Sequence, residues 1–273
     1  MNSGTLALAL VVGLLASPSL ASPPPASPAS AQQADDDWDL TVQPNGELTA
    51  ATVDFGSNLV AVRCRSGVLD VLFSGIPVAA SVNRRIEISL GAINEEKQVW
   101  TSTPGGTVMS PSNPDRIARQ LRAGGTLNIL VEASPARGDA PATTAHRYRL
   151  PIPASAAAID RVLTACDRPL TSARDVVPHS GVITWRTPPR VVFPEKARRA
   201  RVQEGVATLS CLVGDDGQPE ACEAVAAAPA GQGFEEAAIR ATANAELDLR
   251  RAPLEPGHAI EFNVVFRGRD QDR

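Results

Sequence analysis

Two rhythms of apolar residues run along the chain. From Trp38 to about Pro169 the dominant one is alternation. Arg85-Ile-Glu-Ile-Ser-Leu90 and Thr126-Leu-Asn-Ile-Leu-Val131 put every second residue on one side, the period of a half-buried strand. Asn58 to Cys64 and Val68 to Phe73 are two apolar runs flanking Ser66-Gly67, which predicts a hairpin. Asn113-Pro114 stands before Ile117 and Leu121, with Gly124 behind them; this predicts one capped helix of about ten residues. Ser155 predicts the cap of a second helix, whose Ile159, Val162, Leu163 and Cys166 share a face.

Past Pro189 the rhythm changes. Pro194-Glu195-Lys196-Ala197 predicts a short helix with proline at its first position, ended by Gly205. A hairpin centred on Asp216-Gly217 follows, since that turn needs the positive φ that glycine accepts freely. Gly231-Gln-Gly-Phe234 leads into a helix with Phe234, Ala237, Ala238, Ala241 and Ala245 on one face and Glu235, Glu236 and Arg240 outside. The chain closes on Ile260-Glu-Phe-Asn-Val-Val-Phe266, in which Ile260, Phe262, Val264 and Phe266 alternate onto one side. Helix, hairpin, helix, strand predicts a small α+β unit, a three-stranded antiparallel sheet with two helices.

The fold class read from these rhythms is α+β, a mostly-β, sandwich-like domain at 37–169 followed by the small unit at 188–267. Residues 170–187, with scattered Pro, Thr and Ser and one apolar piece from Val182 to Trp185, read as the linker, and 268–273 as a tail. Ahead of these regions, Thr5 to Ala16 is a nearly pure Leu/Ala/Val/Gly run, shorter than the roughly twenty residues a spanning helix needs. Ser19-Leu20-Ala21 fits a small-x-small cleavage pattern, so 1–21 reads as a signal peptide and the chain as periplasmic. An uncleaved inner-membrane anchor is the alternative. The Pro/Ala/Ser-rich stretch 22–36 reads as disordered linker. Asp35-Asp36-Asp37, with no glycine behind it, reads as a solvated acidic turn and not a calcium loop.

Export makes disulfides the expectation for Cys64, Cys166, Cys211 and Cys222. A two-residue turn at Asp216-Gly217 sets Cys211 opposite Cys222, although a bulge or longer turn can shift that register. Cys64 and Cys166 are then left for each other. There is no Cys-x-x-Cys pair, and no cysteine pair has zinc-ligand spacing.

Composition narrows the function classes. The 273 residues carry 26 Lys and Arg against 30 Asp and Glu, a net charge of -4, which argues against nucleic acid as a partner. His146, His179 and His258 lie far apart without ligand or base neighbours in sequence and are expected at the surface. No nucleophile elbow, zincin helix or phosphate loop occurs. Gly231-Gln-Gly-Phe-Glu-Glu begins like a dinucleotide fingerprint but has Glu236 at the third glycine position. No cofactor, metal or catalytic residue is therefore expected, and the chain reads as a non-enzyme; a site in the N-terminal domain is the weaker alternative. Lys196-Ala-Arg-Arg-Ala-Arg201 reads as a solvated helix face rather than a lipid or carboxylate contact. Trp38, Trp100 and Trp185 read as core or interface anchors.

Val192-Phe193-Pro194-Glu195-Lys196-Ala197, Gly205-Val206, Asp216-Gly217 and Gly233-Phe234-x-x-Ala237-Ala238 together resemble the C-terminal domain of TonB-type energy transducers. The likeness spans about 188–267. It implies a module that takes a short extended segment of an outer-membrane transporter, the TonB box, by adding it as a strand to a sheet edge. The accepting edge would be Ile260, Glu261, Phe262, Asn263, Val264, Val265 and Phe266, flanked by Arg267. Two features depart from the family. There is a cleavable leader and a β domain where a transducer has an anchor and a long Pro-rich spacer. The aromatic stretch after the second helix is here Ala245-Glu-Leu-Asp-Leu249, followed by Pro253. The resemblance implies an extended peptide partner, with membrane contact only if residues 1–21 are retained; the anchored transducer is the alternative. More faintly, the ending of the N-terminal domain in a short helix and a cysteine resembles exported β-sandwich proteins of the invasion-associated locus B type.

Overall fold

The computed structural model describes residues 38–268, apart from 92, 104, 137, 139, 140, 156, 252 and 253. The signal peptide expected at 1–21, the linker expected at 22–36, the acidic turn expected at 35–37 and residues 269–273 lie outside the described residues. Strands dominate. The first region holds β1 (Asp39–Val42), β2 (Leu48–Asp54), β3 (Leu59–Arg65), β4 (Val68–Ser74), β5 (Asn83–Leu90), β6 (Ile93–Ser102), β7 (Val108–Ser110), α1 (Pro114–Leu121), β8 (Gly125–Val131), β9 (His146–Ile152) and α2 (Ala157–Ala165). A 3-10 turn (Ala173–Val176) leads to β10 (His179–Ser180) and β11 (Trp185–Thr187). The second region holds α3 (Glu195–Arg199), β12 (Glu204–Val213), β13 (Pro219–Ala228), α4 (Phe234–Ala241), β14 (Glu246–Leu247) and β15 (Ala259–Arg267).

The expected hairpin, strands and two helices of the first region are all present. Ser66 and Gly67 both have positive φ, the primed turn whose twist matches that of paired strands. Instead of two stacked sheets, as a sandwich implies, the strands form one sheet in the order β1-β2-β3-β4-β7-β6-β5-β8-β9, antiparallel throughout. The three-residue β7 causes this. It pairs with Phe73 and Ser74 on one side and with Thr101 and Ser102 on the other, joining two groups of four strands. The sheet curls until its ends approach: the indole N–H of Trp38, just before β1, donates to the Pro153 carbonyl just past β9, 2.9 Å away. Its inward residues, among them Val62, Val71, Ile86, Ile129 and Trp100, pack on Ile117 and Leu121 of α1 and Ile159 and Leu163 of α2. The Cys64–Cys166 disulfide ties the end of α2 to β3.

A second apolar cluster lies in the C-terminal region, built on Phe193, Leu209, Phe234, Ile260, Phe262 and Phe266. β12 is central, antiparallel to both β13 and β15, as the pattern predicts. The sheet has four strands and not three, because β10 adds in parallel beside Ala259 and Ile260 of β15. Residues 170–187 are thus more than a plain connection, carrying a 3-10 turn and two short strands. Four local corrections follow. Pro194 is the cap of α3 rather than its first residue. Gly205 does not end α3, whose cap is Ala200; it sits inside β12, where a Cβ would lie 2.2 Å from the Phe234 ring. The turn between β12 and β13 also exceeds two residues: Gly214 N–H donates to the Gln218 carbonyl, with Gly217 at φ +82. Cys211 and Cys222 nevertheless form a disulfide, because β13 bulges around Ala221 (φ +45) and restores the facing register. The descending helix face stops at Ala241; Ala245, though buried, follows in a turn.

Candidate functional site

The edge of β15 is the candidate site, and its geometry follows from strand alternation. In an antiparallel ladder, successive residues turn their N–H and C=O groups to opposite sides. Gly268 N–H donates to the Gln203 carbonyl just before β12, and Ala259 N–H donates to Pro178 just before β10. Even-numbered residues therefore face β12, and odd-numbered residues face the outer edge. β10 covers that edge only at Ala259 and Ile260. Among the described residues no strand pairs with it further on, so Asn263, Val265 and Arg267 turn their backbone groups outward. The nine-residue register between β12 and β15 is unbroken, leaving this stretch straight and extended.

The predicted residues divide into three sets. Ile260, Phe262, Val264 and Phe266 are buried in the second core and anchor the strand. β10 engages the outward N–H of Ala259 and the backbone groups of Ile260 face β12, so the accepting stretch shortens to Glu261–Arg267. Asn263 and Val265 are exposed, Val265 by 51%. The Asn263 side chain accepts from the Thr208 hydroxyl at 2.7 Å.

Glu261 belongs to a buried polar cluster that locks β15 to the first region. Its Oε1 accepts from Asn113 Nδ2 at 2.8 Å and lies 3.1 Å from His179 Nδ1. His179 Nε2 is 2.9 Å from the Arg174 carbonyl. Both ring nitrogens thus lie within hydrogen-bond distance of acceptor oxygens. Burial is the strongest influence on the Glu261 carboxyl and pushes its pKa up. The His179 hydrogen bond and charge, the Arg116 charge and the Asn113 hydrogen bond together outweigh it and hold the group below the usual carboxylate range. Behind these residues, Arg116 Nη2 donates to Glu96 Oε1 at 2.5 Å, Gln98 donates to Glu96, and Trp100 donates to Gln98. Asn113 also caps α1, accepting from the Arg116 N–H. One side chain thus ends a helix and grips the strand.

Sequence spacing missed His179, which is buried and not at the surface, because its partner lies 82 positions away. His258 stays local, near Glu255, and His146 near Thr144. Trp185 packs edge-on against Phe262, 5.0 Å between ring centroids, while Trp38 and Trp100 are core. The basic run on α3 is exposed, with Arg199 and Arg198 turned back on Glu195. A groove of about 740 Å³ lies beside β10, with Val176, Val177, Pro178, Val182 and Leu254 among its walls. It borders the covered end of the edge.

The opposite edge of the same sheet differs. β13 begins at Pro219, places extra residues against β12 at two points, and has its Ala221 carbonyl held by Arg174. These devices blunt an edge against pairing; the outer side of β15 has none of them. No protein-family model matches the chain and no curated protein matches it, so the likeness to energy transducers rests on the motifs and spacing quoted above.

Proposed function

We propose that the protein is a binding module of the periplasm that takes an extended segment of a partner by strand addition along Glu261–Arg267, in connection with outer-membrane transport. One observation carries this reading: a long strand of unbroken register with its outer backbone groups unpaired, in a sheet whose opposite edge is blunted. Main-chain hydrogen bonds would supply affinity and the flanking side chains selectivity. The two disulfides fit an oxidising compartment. Among the described residues no helix is long and apolar enough to cross a membrane.

The test is a proline scan of β15, read by fluorescence anisotropy with synthetic peptides covering the amino-terminal segments of outer-membrane transporters from the same cell. Val265→Pro removes an outward N–H and leaves the β12 ladder whole. It is expected to abolish binding while the circular dichroism spectrum stays native. Val264 is the wrong probe, since its N–H faces β12 and its side chain is core. Undiminished binding by the Val265→Pro protein would overturn the edge assignment.

A further inference from the structure

Three rows of side chains run across β12 and β15 toward the open edge. The register pairs Thr208 with Asn263, Val206 with Val265 and Glu204 with Arg267, and by alternation these residues of β15 stand on the face opposite the second core. In the first row the Thr208 hydroxyl holds the Asn263 carboxamide by its oxygen, which leaves the side-chain N–H pair to donate. In the second, Val265 is exposed and Val206 half-buried. In the third, Arg267 is exposed and forms no ion pair among the described residues. The next row, Ser210 with Glu261, is buried, with Asn113 of α1 and His179 on Glu261. The face open to a partner's side chains ends there.

We infer that the partner segment continues these rows. Opposite Arg267 it carries a carboxylate, opposite Val265 a β-branched apolar residue, and opposite Asn263 a side chain with an acceptor oxygen. The inference rests on the strand-addition reading. Main-chain hydrogen bonds fit any sequence, so discrimination falls to the side chains. Residues directly opposite in paired strands bring their Cβ atoms to about 4.5–5.5 Å, close enough for each pair to interact. The three positions therefore fall at every second residue of the segment. An antiparallel segment carries the carboxylate toward its amino-terminal end, a parallel one toward its carboxy-terminal end. A carboxylate there completes a row in which the Arg267 guanidinium stands between it and Glu204; a lysine would meet a like charge directly opposite, which is destabilising.

The test titrates the isotope-labelled full chain with the synthetic peptide Thr-Asp-Thr-Val-Thr-Asn-Thr, with its reverse, and with both again carrying Lys for Asp. Shifts of the Asn263, Val265 and Arg267 amides give the dissociation constants. At low ionic strength one Asp peptide is expected to bind about fivefold more tightly than its Lys counterpart, the ratio falling as salt is added. Exchanging the peptide's Val for Gly, or its Asn for Leu, is expected to weaken binding about twofold. Arg267→Glu is expected to reverse the charge preference and Arg267→Gln to abolish it; the neutral variant decides should the Glu protein not fold. Equal binding of the Asp and Lys peptides, no loss from the two exchanges, or a preference that survives in Arg267→Gln overturns the inference and leaves strand addition standing. So does binding of transporter amino-terminal peptides at these amides with no response to the designed ones. Failure of transporter and designed peptides alike overturns the strand-addition reading, and this inference with it.

Discussion

Gly205 shows how one missing side chain organises a core. Phe234 lies against Phe193 and Phe266, with ring centroids 5.6 and 5.0 Å away, and its ring fills the space that a Cβ on residue 205 would need. Gly205→Ala must displace that ring, so the variant is expected to lose about 1–3 kcal/mol, read as a lower urea midpoint with unchanged slope. The motif pairing Gly205 with Phe234 was visible in the chain, but the glycine read as a helix stop because spacing alone does not show which ring lies above it. Glu261 sets a second expectation. Its folded pKa lies below the free value of 4.5, so its stabilisation is complete above about pH 4.5 and fades as the pH falls through the lower folded value. Glu261→Gln removes the charge beside His179 and is expected to cost about 2–4 kcal/mol near neutrality. It should also flatten the acid limb of stability against pH, measured by urea unfolding at several pH values. An acid limb as steep as that of the native chain would show that Glu261 does not carry the effect.

At the scale of elements, alternation and caps were the most legible features. The strands around Ile86 and Ile129, the Ser66-Gly67 hairpin, α1 with its Asn113 cap, α4 and β15 all stand where apolar periodicity puts them. Both expected cysteine pairings are present, although Cys211 meets Cys222 only because a bulge in β13 offsets a turn longer than the two residues read from Asp216-Gly217. β10 was not legible, because two residues carry no period, and its place is fixed by pairing with Ala259 and Ile260 rather than by local preference. The bulges of β13 were invisible for the same reason. These unseen details define the accepting stretch, since β10 closes one end of the β15 edge and the bulges set β13 apart. The contrast between Val264 and Val265 as proline sites is an element-scale consequence: the two are adjacent, yet one faces the ladder and the other faces outward.

In the whole molecule, the two apolar clusters are joined by polar contacts that no short stretch of sequence contains. Asn113 of α1 meets Glu261 of β15 across 148 positions, and Gly181, just past β10, donates its N–H to the Lys97 carbonyl of β6. β15 is therefore gripped at Glu261 by the first region and open from Asn263 to Arg267, so a strand added there would dock on a braced edge. The measurement that bears most directly on this account is amide hydrogen exchange on the full chain, with and without a transporter amino-terminal peptide at saturation. Slowed exchange at the outward Asn263, Val265 and Arg267 amides, with Phe262, Val264 and Phe266 already protected in the free protein, is the predicted result. Unchanged exchange at those three outward positions, or protection appearing only on another strand, would contradict strand addition at β15.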